Sequence, residues 1–112
     1  MRAATLILLA ATSLGVAAPA YAAPASYEQQ LADQEQSMVL VEPLAGRENK
    51  YWFHYNTDIQ EARLELKRDL KHASDTEDVR DAWDEYRVEL ADARKDYTKE
   101  MRERGYPVVY VE

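Results

Sequence analysis

Two apolar stripes at three- and four-residue spacing run through the second half of this chain and leave it few alternatives to paired helices. Trp52, Tyr55, Ile59, Ala62, Leu66, Leu70 and Ala73 form the first, and Val79, Trp83, Tyr86, Leu90, Ala93, Tyr97 and Met101 form the second. Nearly every residue between these positions is Asp, Glu, Lys or Arg, so each stripe has a solvated opposite face, the pattern of an amphipathic helix. The expected fold is all-α, with helices over about residues 48–73 and 76–104 folded back on each other as an antiparallel hairpin. Each would be about 40 Å long at 1.5 Å per residue. In an antiparallel pair, facing residues have numbers of nearly constant sum, and the stripes obey this. Leu70 falls opposite Val79, Leu66 opposite Trp83, Ala62 opposite Tyr86, Ile59 opposite Leu90, Tyr55 opposite Ala93, and Trp52 opposite Tyr97. Even spacing produces part of that agreement; the placement of an alanine against a ring at two steps does not follow from spacing alone. So regular a repeat can also be satisfied by a second copy in a coiled coil, and a homodimer is expected.

The punctuation agrees with the stripes. Ser74-Asp75-Thr76-Glu77 offers a cap in which the Ser74 hydroxyl and the Glu77 carboxylate satisfy free amides at the start of the second helix. Arg102 and Arg104 suit a C-terminus, Gly105 suits a left-handed cap, and Pro107 forbids continuation. Upstream, Ser26 and Gln29 have capping-box spacing for a short helix through about Met38. Pro43 and Gly46 predict a break near residues 42–47. Met38-Val39-Leu40-Val41 and Val108-Val109-Tyr110-Val111 are rich in strand formers, so segments 38–41 and 108–111 are expected to be extended and able to pair as a ribbon. Phe53, Leu64 and Val88 lie outside the stripes, and the segment 23–47 is the candidate to cover part of the hairpin.

The first 22 residues read as a cleavable export signal: Arg2 as the positive region, an apolar run from Ala3 to Ala18, and Ala20 and Ala22 bracketing Tyr21 at the cleavage site. This short Ala/Leu-rich leader resembles bacterial export signals, which implies a periplasmic destination, with full secretion as the other option. The organisation is then a signal peptide at 1–22, an N-terminal segment at 23–47, and the hairpin with its tail at 48–112. Cleavage removes one cation and takes the net charge from −7 to −8. So acidic a product is repelled by nucleic acid and by anionic membranes and favours basic partners or cations. The chain has no cysteine, so neither a disulfide framework nor a cysteine-linked lipid anchors it. One domain of about 90 residues buries only about 60–65 % of its unfolded surface, so self-association would help it.

Tyr51-Trp52-Phe53-His54-Tyr55 places five rings around one helix, so some must lie outside the seam. Tyr51, Trp52, Phe53 and Tyr55 are the candidate partner-binding residues, because aromatic rings give large contact area at low entropic cost. His54 and Asp58 are one turn apart and could share a divalent cation; His72 with Asp75 is a weaker analogue. Two histidines and no cysteine fall short of a tight zinc site, and the acidic run Asp75, Glu77, Asp78, Asp81 lacks the glycine turn of a calcium loop. No serine, threonine or histidine sits in an activating context, so no catalytic residue and no cofactor is expected. Opposite charges three apart, as in Glu65 with Arg68, Asp84 with Arg87, Asp92 with Lys95 and Asp96 with Lys99, account for much of the charge as helix support.

These features predict a non-enzymatic envelope module that binds another protein or itself, with divalent-metal binding as the alternative. In outline the hairpin resembles the small periplasmic stress chaperones built from helical hairpins, which implies a chaperone-like role. The resemblance is one of architecture: their Leu-Thr-x-x-Gln repeats are absent here, and those proteins are basic where this chain is acidic.

Overall fold

The computed structural model describes residues 24–108, which form three α-helices and one 3-10 turn: α1 (Tyr27–Ser37), the turn (Leu44–Gly46), α2 (Lys50–His72) and α3 (Thr76–Glu103). The expected leader at 1–22 and residues 109–111 of the tail lie outside the described residues. α2 and α3 pack as the antiparallel hairpin. Their seam buries Trp52, Tyr55, Ile59 and Ala62 from α2 against Ala82, Tyr86, Leu90, Ala93, Tyr97 and Met101 from α3. The Trp52 and Tyr97 rings, paired by the register argument, lie 5.9 Å apart, and Tyr55 stacks on Tyr97 at 5.0 Å. Ala62 and Ala93 are both buried, leaving room for the bulky rings of the seam. Toward the turn the seam thins, because Leu66, Leu70, Val79 and Trp83 are only half-buried.

Each helix begins where a side chain can replace the missing backbone acceptor. Ser26 accepts from the Gln29 amide, and Asn49 accepts from the Tyr51 and Trp52 amides. At α3 the cap sits one residue later than the Ser74 hydroxyl reading has it. Asp75 is the cap and accepts from the Asp78 amide at 2.8 Å, while Asp78 accepts from the amide and hydroxyl of Ser74. A carboxylate competes better than a hydroxyl for these amides at a helix N-terminus, because the aligned peptide dipoles favour negative charge there. α3 ends in a Schellman motif, with Gly105 at φ 82°, its amide donating to Arg102 and the Tyr106 amide to Met101.

The N-terminal segment covers the hairpin as expected. α1 runs along α3 in the same direction, with Glu28 paired to Arg80 at 2.8 Å and Glu35 to Arg94 at 3.0 Å. Ala32 is fully buried against the seam, and the Tyr86 hydroxyl donates to the Gln36 side chain. Residues 38–49 then form a strap across the open end of the hairpin and deliver the chain to α2.

The strap is not the extended strand that its β-branched residues suggest. Met38 still has helical backbone angles and closes α1, and the Val39 amide bonds to Gln36. The Leu40 amide donates to the Tyr55 hydroxyl at 2.9 Å, and the Leu44 amide to the Tyr97 hydroxyl at 3.0 Å. Amides engaged by tyrosines of the seam cannot also join a ladder, and there is no strand among the described residues. Val108, the one described residue of the expected tail strand, packs on the core instead. The turn at Leu44–Gly46 puts Ala45 at φ 54°, a left-handed conformation that costs an alanine about 1 kcal/mol or more.

Tyr55→Phe and Tyr97→Phe keep the ring packing and remove one acceptor each. Each variant strands a half-buried amide and is expected to lose about 1–3 kcal/mol in urea unfolding. Hydrogen exchange should quicken at Leu40 in the first and at Leu44 in the second; unaltered exchange would show that the hydroxyls do not hold the strap.

Candidate functional site

The ring cluster at the start of α2 divides between core and surface. Trp52 and Tyr55 are in the core, stacked on each other at 5.9 Å; Tyr55 also stacks on Tyr97, and Trp52 meets that ring at a tilt of 46°. Tyr51 is half-buried: the Arg104 guanidinium lies 3.9 Å from its ring centre, and the His54 ring meets it edge-on at 6.5 Å. Phe53 is 57 % exposed and, with the exposed His54, presents its ring to solvent. Helical geometry causes this division, since positions 52 and 55 share the seam face while position 53 points about 100° away.

His54 and Asp58 are both exposed and line a shallow groove with Asp96 and Glu100 of α3. Among the described residues, the group whose ligand atoms come close enough to share an ion is a different one: Glu65, Glu85 and Glu89, all within 4.8 Å of one another across the seam. His72 lines a separate hollow with Asp69, Asp78, Asp81 and Glu85 at the hairpin turn. There Asp78 is engaged in the helix cap, and the hydrogen bonds from Ser74 hold its carboxyl below the ordinary range.

Three carboxylates in one place repel. Glu89 is pushed up to about 7, first by partial burial, then by a hydrogen bond with Glu65 and by the negative charges of Glu65, Glu85 and Asp69. Glu85 is raised as well, chiefly by the charge of Glu65. The cluster therefore holds a proton near neutrality that separate glutamates would have released.

Charge is segregated around the second half of α3. At 100° per residue, Glu89, Asp92, Asp96 and Glu100 fall on the side toward α2, while Lys95, Lys99 and Arg102 fall on the side toward the strap. On the α2 side Glu89, Asp92 and Asp96 line a groove with Asp58, Glu61 and Glu65, and no cation is among its lining residues. On the other side lies a groove of about 810 Å³ between α3 and the strap. Its apolar floor is Met38, Leu40, Leu44, Ala91 and Val108; Arg94, Lys95, Lys99 and Arg102 edge it, with Asp92 the one acid at its margin. Arg94 is committed to the strap through Glu35 and the Met38 sulfur, the latter at 2.9 Å. Lys95 and Lys99 are exposed.

None of the candidate binding or metal residues of the sequence lines this groove; the lining residues that the sequence marks at all read there only as strand formers, helix-stabilising ion pairs or a C-terminal cation. One signal was available: bases and acids alternate along 89–102 in a way that a helical projection resolves into two sides. Pairing by threes hides it. Of the four pairs expected, Asp84–Arg87 closes at 2.8 Å, whereas Glu65–Arg68, Asp92–Lys95 and Asp96–Lys99 do not reach ion-pair distance. The apolar wall comes from the strap, some 50 residues away in sequence.

The sign of the Glu89 shift fixes a pH dependence. Its folded value lies above the ordinary glutamate value of 4.5, so between about 4.5 and 7 the folded chain keeps a proton that the unfolded chain gives up. The stabilisation from this group is present below 4.5 and is lost as pH rises through 7. Glu89→Gln should therefore be stabilising at pH 8, by about 1 kcal/mol, and nearly neutral at pH 5 in thermal unfolding. An equal effect at both pH values would contradict proton sharing in the cluster.

None of the described helices is long and apolar enough to cross a membrane. No family model, curated protein or solved structure matches this chain.

Proposed function

We propose that this protein is an exported, periplasmic module that binds another envelope protein, in the manner of a small chaperone or adaptor, and that it is not an enzyme. The observation that carries the reading is the groove between α3 and the strap, where an apolar floor and a row of cations lie together on a chain of net charge −7. Apolar area supplies affinity and a charged margin supplies selection and encounter rate. The residues lining this groove are half-buried or exposed, an environment suited to docking a chain segment and poorly suited to shifting a pKa for acid-base chemistry.

Phe53 adds an exposed ring on the outer side of α2, while Tyr51 lies on a different flank beside His54 and Arg104. Trp52 and Tyr55 serve it from beneath, by fixing the start of α2 in the core. Phe53→Ala therefore tests the surface cleanly, whereas Trp52→Ala removes a core ring and is expected to cost about 3–5 kcal/mol of stability.

Site-specific photocrosslinking of the exported protein in its native envelope checks the reading. Probes at Lys95, Lys99 and Phe53 should capture one dominant partner, and a probe at Lys67, about 20 Å along α2 from Phe53, should not. Capture of copies of the chain alone, from every position, would replace partner binding with self-assembly. A second reading, divalent-cation binding, is favoured by the groove that His54 and Asp58 share with Asp96 and Glu100. It requires roughly micromolar zinc, copper or nickel affinity by calorimetry that His54→Ala removes; weak, salt-screened association would dismiss it.

A further inference from the structure

Resting on the protein-binding reading, we infer that the groove between α3 and the strap takes an acidic amphipathic peptide segment. Its apolar side chains lie on Met38, Leu40 and Leu44, and its carboxylates face Lys95 and Lys99. The charge pattern of α3 is the first reason. In the second half of this helix Glu89 and Asp96 lie on the α2 side and Asp92 lines both grooves, so the groove side presents Lys95 and Lys99 to solvent, in no ion pair among the described residues. On a chain of net charge −7 this is a local reversal of sign, and a segment carrying carboxylates is drawn to it.

The geometry narrows the occupant further. Lys95 and Lys99 are one helical turn apart, about 6 Å, which matches carboxylates at i and i+4 of a helix or at i and i+2 of an extended segment. The floor runs beside them and supplies the apolar half of an amphipathic match. A second copy of this chain matches the charge but not the floor, because the acidic groove it would offer is lined, apart from its carboxylates, by Ala62 and Ala93 only. An anionic lipid matches the charge but would leave its acyl chain wet, since no residue lining the groove is fully buried. Nucleic acid offers phosphates without apolar side chains for the floor and meets the repulsion of the whole chain.

The test is fluorescence anisotropy of the mature protein with three labelled amphipathic peptides of one design, carrying Leu with Glu, with Gln or with Lys. The Glu peptide is expected to bind at least about 10-fold more tightly than the Gln peptide, with the Lys peptide weakest, and to lose affinity steeply with added salt. Lys95→Glu with Lys99→Glu, or Ala91→Trp filling the groove, should each weaken the Glu peptide by about 10-fold or more, and Lys67→Glu should not. Lys95→Gln with Lys99→Gln is the milder variant, and unchanged helicity by circular dichroism shows that each variant remains folded. Equal binding of the Glu and Gln peptides, or indifference to all the groove variants, would overturn the inference. So would tighter binding to phosphatidylglycerol vesicles than to the peptide, or a dimer in sedimentation that the Lys95→Glu, Lys99→Glu protein no longer forms. Envelope crosslinking separates the two levels. If the groove variants capture the same partner as the wild type, the groove assignment fails and the protein-binding reading stands. If the Glu peptide binds as expected and the wild type captures no partner, the groove chemistry stands and the reading of function fails.

Discussion

The ring stack of Trp52, Tyr55 and Tyr97, with centroids 5.0–5.9 Å apart, is the contact on which the rest of the molecule depends. It closes the open end of the hairpin, where α2 begins and α3 finishes, and it holds three of the four buried rings among the described residues. Burial raises both tyrosine phenols, so their hydroxyls stay protonated throughout the physiological range. Those hydroxyls accept the Leu40 and Leu44 amides and so hold the strap against the hairpin. Without that attachment residues 38–49 would keep their short-range turns, the Arg94 contact to the Met38 sulfur and their apolar packing, and the wall they give the groove would loosen. Fold and candidate site thus meet at the same two side chains.

The opposite end of the hairpin follows a different logic. Toward the turn the apolar residues are half-buried, and the seam there is edged by Glu65, Glu85, Glu89 and Asp69. Like charges across a thin seam weaken it, and a shared proton relieves the repulsion in part. α3 therefore has two functional halves: a proton-sharing acidic region near the turn, and a second half that separates acids from bases on its two sides. The first contributes stability that is lost as pH rises through about 7. The second contributes the cations that rim the apolar groove between α3 and the strap.

The hairpin was legible because its determinants are local and periodic. Trp52 and Tyr97 fall in register by counting, Gly105 stops α3 by its left-handed φ, and Ser26 opens α1 by a hydroxyl three residues before the amide it serves. The strap was not legible for the opposite reason. Its conformation is set by hydrogen bonds to tyrosines 15 and 53 residues away, and these override the β preference of Val39 and Val41. The acidic cap at Asp75 differs from the serine reading by a competition between two adjacent acceptors that spacing alone does not decide. The aromatic run at 51–55 signalled an excess of rings without saying which ones the seam would take. Lys95 and Lys99 read as helix-stabilising partners of Asp92 and Asp96 until the strap is in place and shows which side of α3 they occupy.

The central claim is that α1 and the strap lie along α3 in parallel, because the groove exists only if they do. With no native cysteine, paired substitutions can be read without ambiguity. A short bismaleimide should join Glu28→Cys to Arg80→Cys and Glu35→Cys to Arg94→Cys within one chain. It should fail on the exchanged pairs, Glu28→Cys with Arg94→Cys and Glu35→Cys with Arg80→Cys. Equal crosslinking of matched and exchanged pairs, or crosslinks only between chains, would contradict the docking of α1 on α3 and with it the groove.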